Sequence, residues 1–250
     1  VGFDRNLWLW ERYDDAATYL LVADVARGDG ADYSVFHIIK LETMEVIGEY
    51  QGKATLEQFA SILDSTGREF GGAMLVVENN SLGISILEKL QDRLYPNLYF
   101  SIKGTHEYIS EAQAESMSNA VPGFTTSSKT RPLIIAKMEE FIRNQLITLY
   151  SSRIIGEFKT FIWNNNKAQA MRSYNDDLVM ALAIACWVKD TALTVNIREM
   201  EYKKAMVNSI KSSNNQFSTT IPGMTGHNKG LSREAKKAKQ HYRDFVWLIK

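Results

Sequence analysis

Three short apolar runs separated by turns fill residues 18–52: TYLLVAD, DYSVFHIIKL and EVIGEYQG. Their β-branched and aromatic content marks them as strands, and the connecting RGDGAD and ETM are too short for a helical crossover. Consecutive strands joined this way pair as an antiparallel meander. The periodicity then changes. ATLEQFASILDSTGREF sets Leu56, Phe59, Ile62 and Leu63 on one face of a helix, with Thr55 near its N-cap. GAMLVVE is a continuous apolar strand, SLGISILEKLQDRLY a second amphipathic helix and NLYFSI a short fifth strand. The order βββαβαβ predicts an α/β domain whose meander is followed by helix-connected strands.

The remaining segments organise around that core. Residues 1–17, with the aromatic and charged LWLWERYDD, read as a connector from a preceding domain, and a start at Val1 suggests an excised fragment. Residues 104–130 are rich in Gly, Ser and Thr and predict a long functional loop. RPLIIAKMEEFIRNQL predicts a helix with Pro132 in its first turn. FKTFIW and AQAMRS, joined by NNNK, predict a hairpin just before the apolar helix DDLVMALAIACWV. The core is therefore assigned to 18–192. Residues 193–250 form a basic extension, ending in SREAKKAKQHYRDFVWLIK as a terminal helix.

Lys+Arg and Asp+Glu both number 29, so overall charge names no polyanionic partner and any nucleic-acid surface must be local. The one cysteine, Cys186, lies in an apolar run and predicts a buried thiol in a reducing cytosol. No apolar stretch approaches the roughly 18 residues that span a bilayer, and no signal core follows a basic N-terminus. Secretion and membrane insertion are not expected.

Acidic residues at the ends of the apolar runs carry the chemistry. Asp24 ends TYLLVA, Glu78 ends GAMLVV, and Asp176 and Asp177 open the last helix. A carboxylate at the tip of a buried strand is unfavourable unless a partner satisfies it, and several converging would bind a hard cation through oxygen. Asp24 also suits a turn, and one acid suffices to stabilise a helix N-terminus, but a doublet repels itself without a cation or a base nearby. Helical spacing aligns Asp177 with Ala181, Ile184 and Ala185, a stripe that lets the helix approach the sheet; Asp176 is the alternative. Asp32 is either a further ligand or the start of the second strand, and Asp29 is a turn residue. Arg27, Lys103, Lys129, Arg131, Lys159, Lys167 and Arg172 flank the acids and are candidates for phosphate contacts. GEYQGKA lacks the spacing of a phosphate loop, the four histidines lack zinc spacing, and Ser85 lacks the glycine of a nucleophile elbow.

Together VADVARGDGADYS, MLVVENNSLG, TTSSKTRPLI and SYNDDLVMALAIA resemble the RNase H-like nucleases. Within them they resemble the C-terminal nuclease domain of the large terminase subunit of tailed phages, of the T-even type. That resemblance implies a mixed central sheet flanked by helices, with Asp24, Glu78 and Asp177 as catalytic acids, helped by Asp176 and Asp32. It further implies two Mg²⁺ or Mn²⁺ ions about 3.5–4 Å apart, and cutting of concatemeric double-stranded DNA with little sequence preference. The implied partners are an ATPase domain missing from this chain, the portal and the small terminase subunit, all in the host cytoplasm. The hairpin around Asn164–Lys167 and the loop Thr125–Lys129 are expected to gate DNA entry, a role that unchanged cleavage after deletion of the hairpin tip would remove. A RuvC-like junction resolvase and a non-catalytic DNA-binding or docking module are the competing readings.

Overall fold

A computed structural model describes residues 2–3, 5–26, 32–80, 82–104, 107–164 and 167–191. Strands β1 (Gly2–Phe3), β2 (Leu7–Leu9), β3 (Tyr19–Asp24), β4 (Ser34–Lys40), β5 (Glu45–Gly52) and β6 (Met74–Val77) form one sheet in the order β1-β2-β5-β4-β3-β6. The meander β3-β4-β5 is antiparallel as its short turns require. Residues 7–9, in the segment read as a connector, pair with the outer edge of β5.

Helix α1 (Leu56–Glu69) begins at Thr55, whose hydroxyl accepts from the Gln58 N–H while the Gln58 side chain accepts from the Thr55 N–H. This capping box satisfies amides that the first turn leaves bare. α1 carries the chain back so that β6 lies parallel to β3, with Leu20 opposite Met74 and Ala23 opposite Val77. Helix α2 (Leu82–Asp92) returns it again, and the Leu98 region runs parallel to β6 before entering β7 (Phe100–Ile102). The βββαβαβ order is therefore present.

Alternation along the strands divides the core. Leu21, Ala23, Leu75 and Val77 pack with Phe59, Leu63, Ile86 and Leu90 from α1 and α2. Leu20, Val22, Met74 and Val76 face the other way, toward Ile134 and Met138 of α4 (Thr130–Arg143) and a helix over residues 177–191, here α6. Burying side chains of this size contributes roughly 1.5–3 kcal/mol each. Residues 178–186 are all buried, so α6 is enclosed on every side over that stretch.

The segment expected to be an open loop has structure of its own. β8 (Tyr108–Ile109) and β9 (Ala120–Pro122) flank β7 in a three-stranded sheet, with the short α3 (Glu111–Ala114) between them. Gly123 then turns the chain along β6 at φ +78, where a Cβ would lie 2.4 Å from the Val77 carbonyl oxygen, so only glycine fits. A second departure is α5 (Ser152–Thr160), a helix whose last residues, Phe158–Thr160, were read as the start of a hairpin strand. Ser151 makes it possible, since its Oγ accepts from the N–H groups of Arg153 and Ile154. The hairpin follows as expected, β10 (Phe161–Asn164) pairing with β11 (Lys167–Ala170). Arg27 and the extension 193–250 lie outside the described residues.

Candidate active site

Strand parity brings two of the acids together. Asp24 continues the face of Leu20 and Val22, and Glu78 continues that of Met74 and Val76. The parallel register extends past Ala23–Val77, with the Glu78 N–H donating to the Ala23 carbonyl at 2.9 Å, so Glu78 stands beside Asp24. Their carboxylates come within hydrogen-bonding reach. Burial first, then the facing Glu78 and the nearby Asp177, raise Asp24 well above the usual carboxylate range. A donated bond from the Val25 N–H, at 2.8 Å, opposes this only partly. Glu78 is aimed by Asn80, whose amide donates to its Oε1 at 2.9 Å and to the Thr126 carbonyl at 3.2 Å.

Asp177 approaches from α6, across the same face of the sheet. Its Oδ2 accepts from the Tyr33 N–H at 3.0 Å and the Asn175 amide at 3.3 Å. Burial raises its carboxyl, those two donors oppose the rise, and the neighbouring Asp32 and Asp176 add to it. The two members of the doublet thus separate. Asp176 forms an ion pair with Arg131 at 2.5 Å, and Arg131 also donates to the Ala168 carbonyl at 3.2 Å, tying α4 to the hairpin. Asp32 is exposed within electrostatic reach of Asp177.

The basic candidates distribute unevenly. Arg131 and Lys167 line a cleft of about 490 Å³ between the start of α4 and the hairpin, together with Thr126, Ser127 and Trp163. Lys129 is exposed just before α4, Lys159 on α5 and Arg172 in the turn after β11. Lys103 follows β7, its backbone N–H bonded to Asn119 at 2.9 Å. Among the described residues no group of three or more Asp, Glu, His or Cys side chains closes to metal-binding spacing. The donor chemistry still suits a hard divalent cation, because facing carboxyl groups buried together are a pair that a cation relieves.

Reading the sequence missed the residues behind the acids. Glu157, on α5, accepts through Oε2 from the N–H groups of Leu178 and Val179 at 3.0 and 3.2 Å. His37, on β4, bonds the Leu178 carbonyl at 3.0 Å through Nε2, which must carry the proton since a carbonyl only accepts. Burial lowers His37 to about 4, so the ring is neutral. A lone Glu inside RIIGEF was the available signal.

Sheet order, crossovers and enclosed helix define an RNase H-like α/β fold. It is the fold of solved large terminase nuclease domains. The large terminase nuclease from thermophilic phage G20c with bound magnesium is 19% identical, with a TM-score of 0.59 over 74% of this chain and 88% of that one. The same nuclease with bound cobalt matches with the same identity, TM-score and coverage. The large terminase nuclease domain of Thermus phage P74-26 is 20% identical, with a TM-score of 0.57 over 73% and 85%. No protein-family profile matches the sequence.

Proposed function

We propose that this chain is a divalent-metal-dependent DNA endonuclease, the cutting domain of a phage genome-packaging motor. The observation that carries the reading is the meeting of Asp24 and Glu78 on adjacent parallel strands, faced by Asp177 from α6, on a fold shared with large terminase nucleases. Mg²⁺ or Mn²⁺ between these carboxylates would supply an activated water and stabilise the leaving oxygen of an in-line displacement. Magnesium and cobalt in the matched nuclease support that ion class. Two ions remain part of the proposal.

The chain's own residues divide the work. Asp24 and Glu78 present oxygens from one side, with Asn80 holding Glu78 in line. Asp177 presents oxygen from the other, directed by Tyr33 and Asn175. Asp176, paired with Arg131, serves as a helper, and Asp32 supplies further negative charge near the site. Arg131 and Lys167 line the cleft where a DNA backbone would lie, and Arg27, Lys103, Lys129 and Arg172 are proposed as further phosphate contacts. Such phosphate contacts predict low sequence preference and a steep salt dependence. The substrate is concatemeric double-stranded DNA in the host cytoplasm, the partners are the ATPase domain, portal and small terminase subunit, and the T-even relationship rests on the sequence motifs.

Supercoiled plasmid incubated with the chain and Mg²⁺ or Mn²⁺ is expected to be linearised and degraded, and to stay intact in EDTA. Asp24→Asn and Asp177→Asn are expected to fold and bind DNA but not to cut, since each removes charge with little change in volume. Cutting by either variant at the wild-type rate would remove that residue from the catalytic set.

A further inference from the structure

Leu178 directly follows Asp177, and both of its backbone polar groups are held by side chains from other elements. Its N–H, with that of Val179, donates to Glu157 Oε2 at 3.0 and 3.2 Å. Its carbonyl accepts from His37 Nε2 at 3.0 Å. First-turn amides of a helix have no intrahelical acceptor, and the usual remedy is a side chain just before the helix. Asp176, which precedes α6, instead pairs with Arg131. The acceptor comes from α5.

Glu157 is itself anchored. The Gln51 amide of β5 donates to its Oε1 at 3.4 Å, and the Ser151 hydroxyl that caps α5 donates to the buried Glu49 of β5 at 2.7 Å. His37 lies directly opposite Glu49 in the β4-β5 ladder. The start of α6 is thus fastened to the sheet from two sides. That fastening fixes where the first turn of α6 stands against the sheet, and with it where Asp177 stands relative to Asp24.

We propose that Glu157, with His37, is a positioning residue that fixes the direction of Asp177 by gripping the backbone one residue beyond it, and so sets the affinity of the site for a divalent cation. This rests on the metal-dependent nuclease reading above. Glu157 bonds the peptide groups of Leu178 and Val179 and lies within electrostatic reach of Asp177, so its removal shifts the Asp177 carboxylate without removing a ligand. Groups that orient metal ligands are typically worth about ten- to a hundredfold in affinity or activity.

The test is calorimetric titration of Mn²⁺ into wild type, Glu157→Ala, Glu157→Gln and Glu157→Asp, with kcat and KM for plasmid cleavage in parallel. Glu157→Ala is expected to bind Mn²⁺ about ten- to a hundredfold more weakly, with a lower kcat and an unchanged KM for DNA. Glu157→Gln keeps an acceptor oxygen at the same reach and is expected to recover most of the affinity. Glu157→Asp keeps the carboxyl but shortens the reach, and is expected to fall below Glu157→Gln. A folded Glu157→Ala with wild-type Mn²⁺ affinity would overturn the proposal and leave a structural cap. Should Glu157→Ala fail to fold, equal affinities in the Asp, Gln and wild-type chains overturn it. A wild-type chain with no Mn²⁺ isotherm and no cleavage defeats the nuclease reading itself, a result distinct from an isotherm that the substitutions leave unmoved.

Discussion

At Glu49 a carboxyl sits fully buried in the middle of β5. Its Oε1 accepts from Ser151, while Oε2 has no hydrogen-bond partner among the described residues. Burial pushes it from an ordinary 4.5 to about 7, with Ser151 and Arg153 pulling back. A carboxyl raised by folding stabilises the fold below its ordinary pKa, and that contribution is lost as pH rises through the folded value. The thermal midpoint of the metal-free chain should therefore fall between about pH 5 and 8. Glu49→Gln should remove part of that fall, up to about 3 kcal/mol, with Glu157, which burial raises to about 8, supplying more of it, and a midpoint profile identical to wild type would show that Glu49 is not a source. At this scale the meeting of Asp24 with Glu78 was legible, because acids that end neighbouring apolar strands on the same parity share one edge of the sheet. The ion pair of Asp176 with Arg131 was not, since Arg131 stands far away in sequence. Glu157 and His37 were invisible for the same reason, as their partners are backbone groups of a distant helix.

Among the elements, the amphipathic helices and the strands of the meander followed their periodicity, and even the Thr55 cap was readable. α5 was not, because its last residues, Phe158–Thr160, open the run FKTFIW with its strand-like composition, and the cap that starts the helix is Ser151 just outside it. The turn from β6 into α2 carries a testable consequence. A Cβ on Gly83 would stand 1.7 Å from the carbonyl oxygen of Glu78, so the helix can start where it does only because that side chain is absent. Gly83→Ala is expected to lower stability by about 1–3 kcal/mol through overpacking, and to weaken Mn²⁺ binding by displacing the Glu78 backbone. Denaturant unfolding and a metal titration would check both, and unaltered values would mean that α2 shifts freely without disturbing the site.

Across the whole molecule, the first residues are structural. β2 covers the outer edge of β5, Arg153 stacks on Trp8 with 3.6 Å to the ring centroid, and its guanidinium donates to the Arg5 and Asn6 carbonyls. Removal of residues 2–13 should bare an edge strand, lowering the thermal midpoint and promoting self-association visible in light scattering. A truncated chain that stays monomeric at the wild-type midpoint would show the strand to be dispensable. The global plan was readable from the switch between strand and helix periods, because short turns dictate antiparallel pairing and helical crossovers dictate parallel pairing. The strand contributed by residues 7–9 was not, since pairing to a distant edge leaves little local signature. The in-register pairing of β3 with β6 has one further consequence. The separation of Asp24 from Glu78 is set by the ladder between their strands and not by the chain that joins them. The turn after β4, or the one between α1 and β6, can accept added residues without moving either carboxylate, so this domain has room to acquire new surface segments while its two paired acids stay in place.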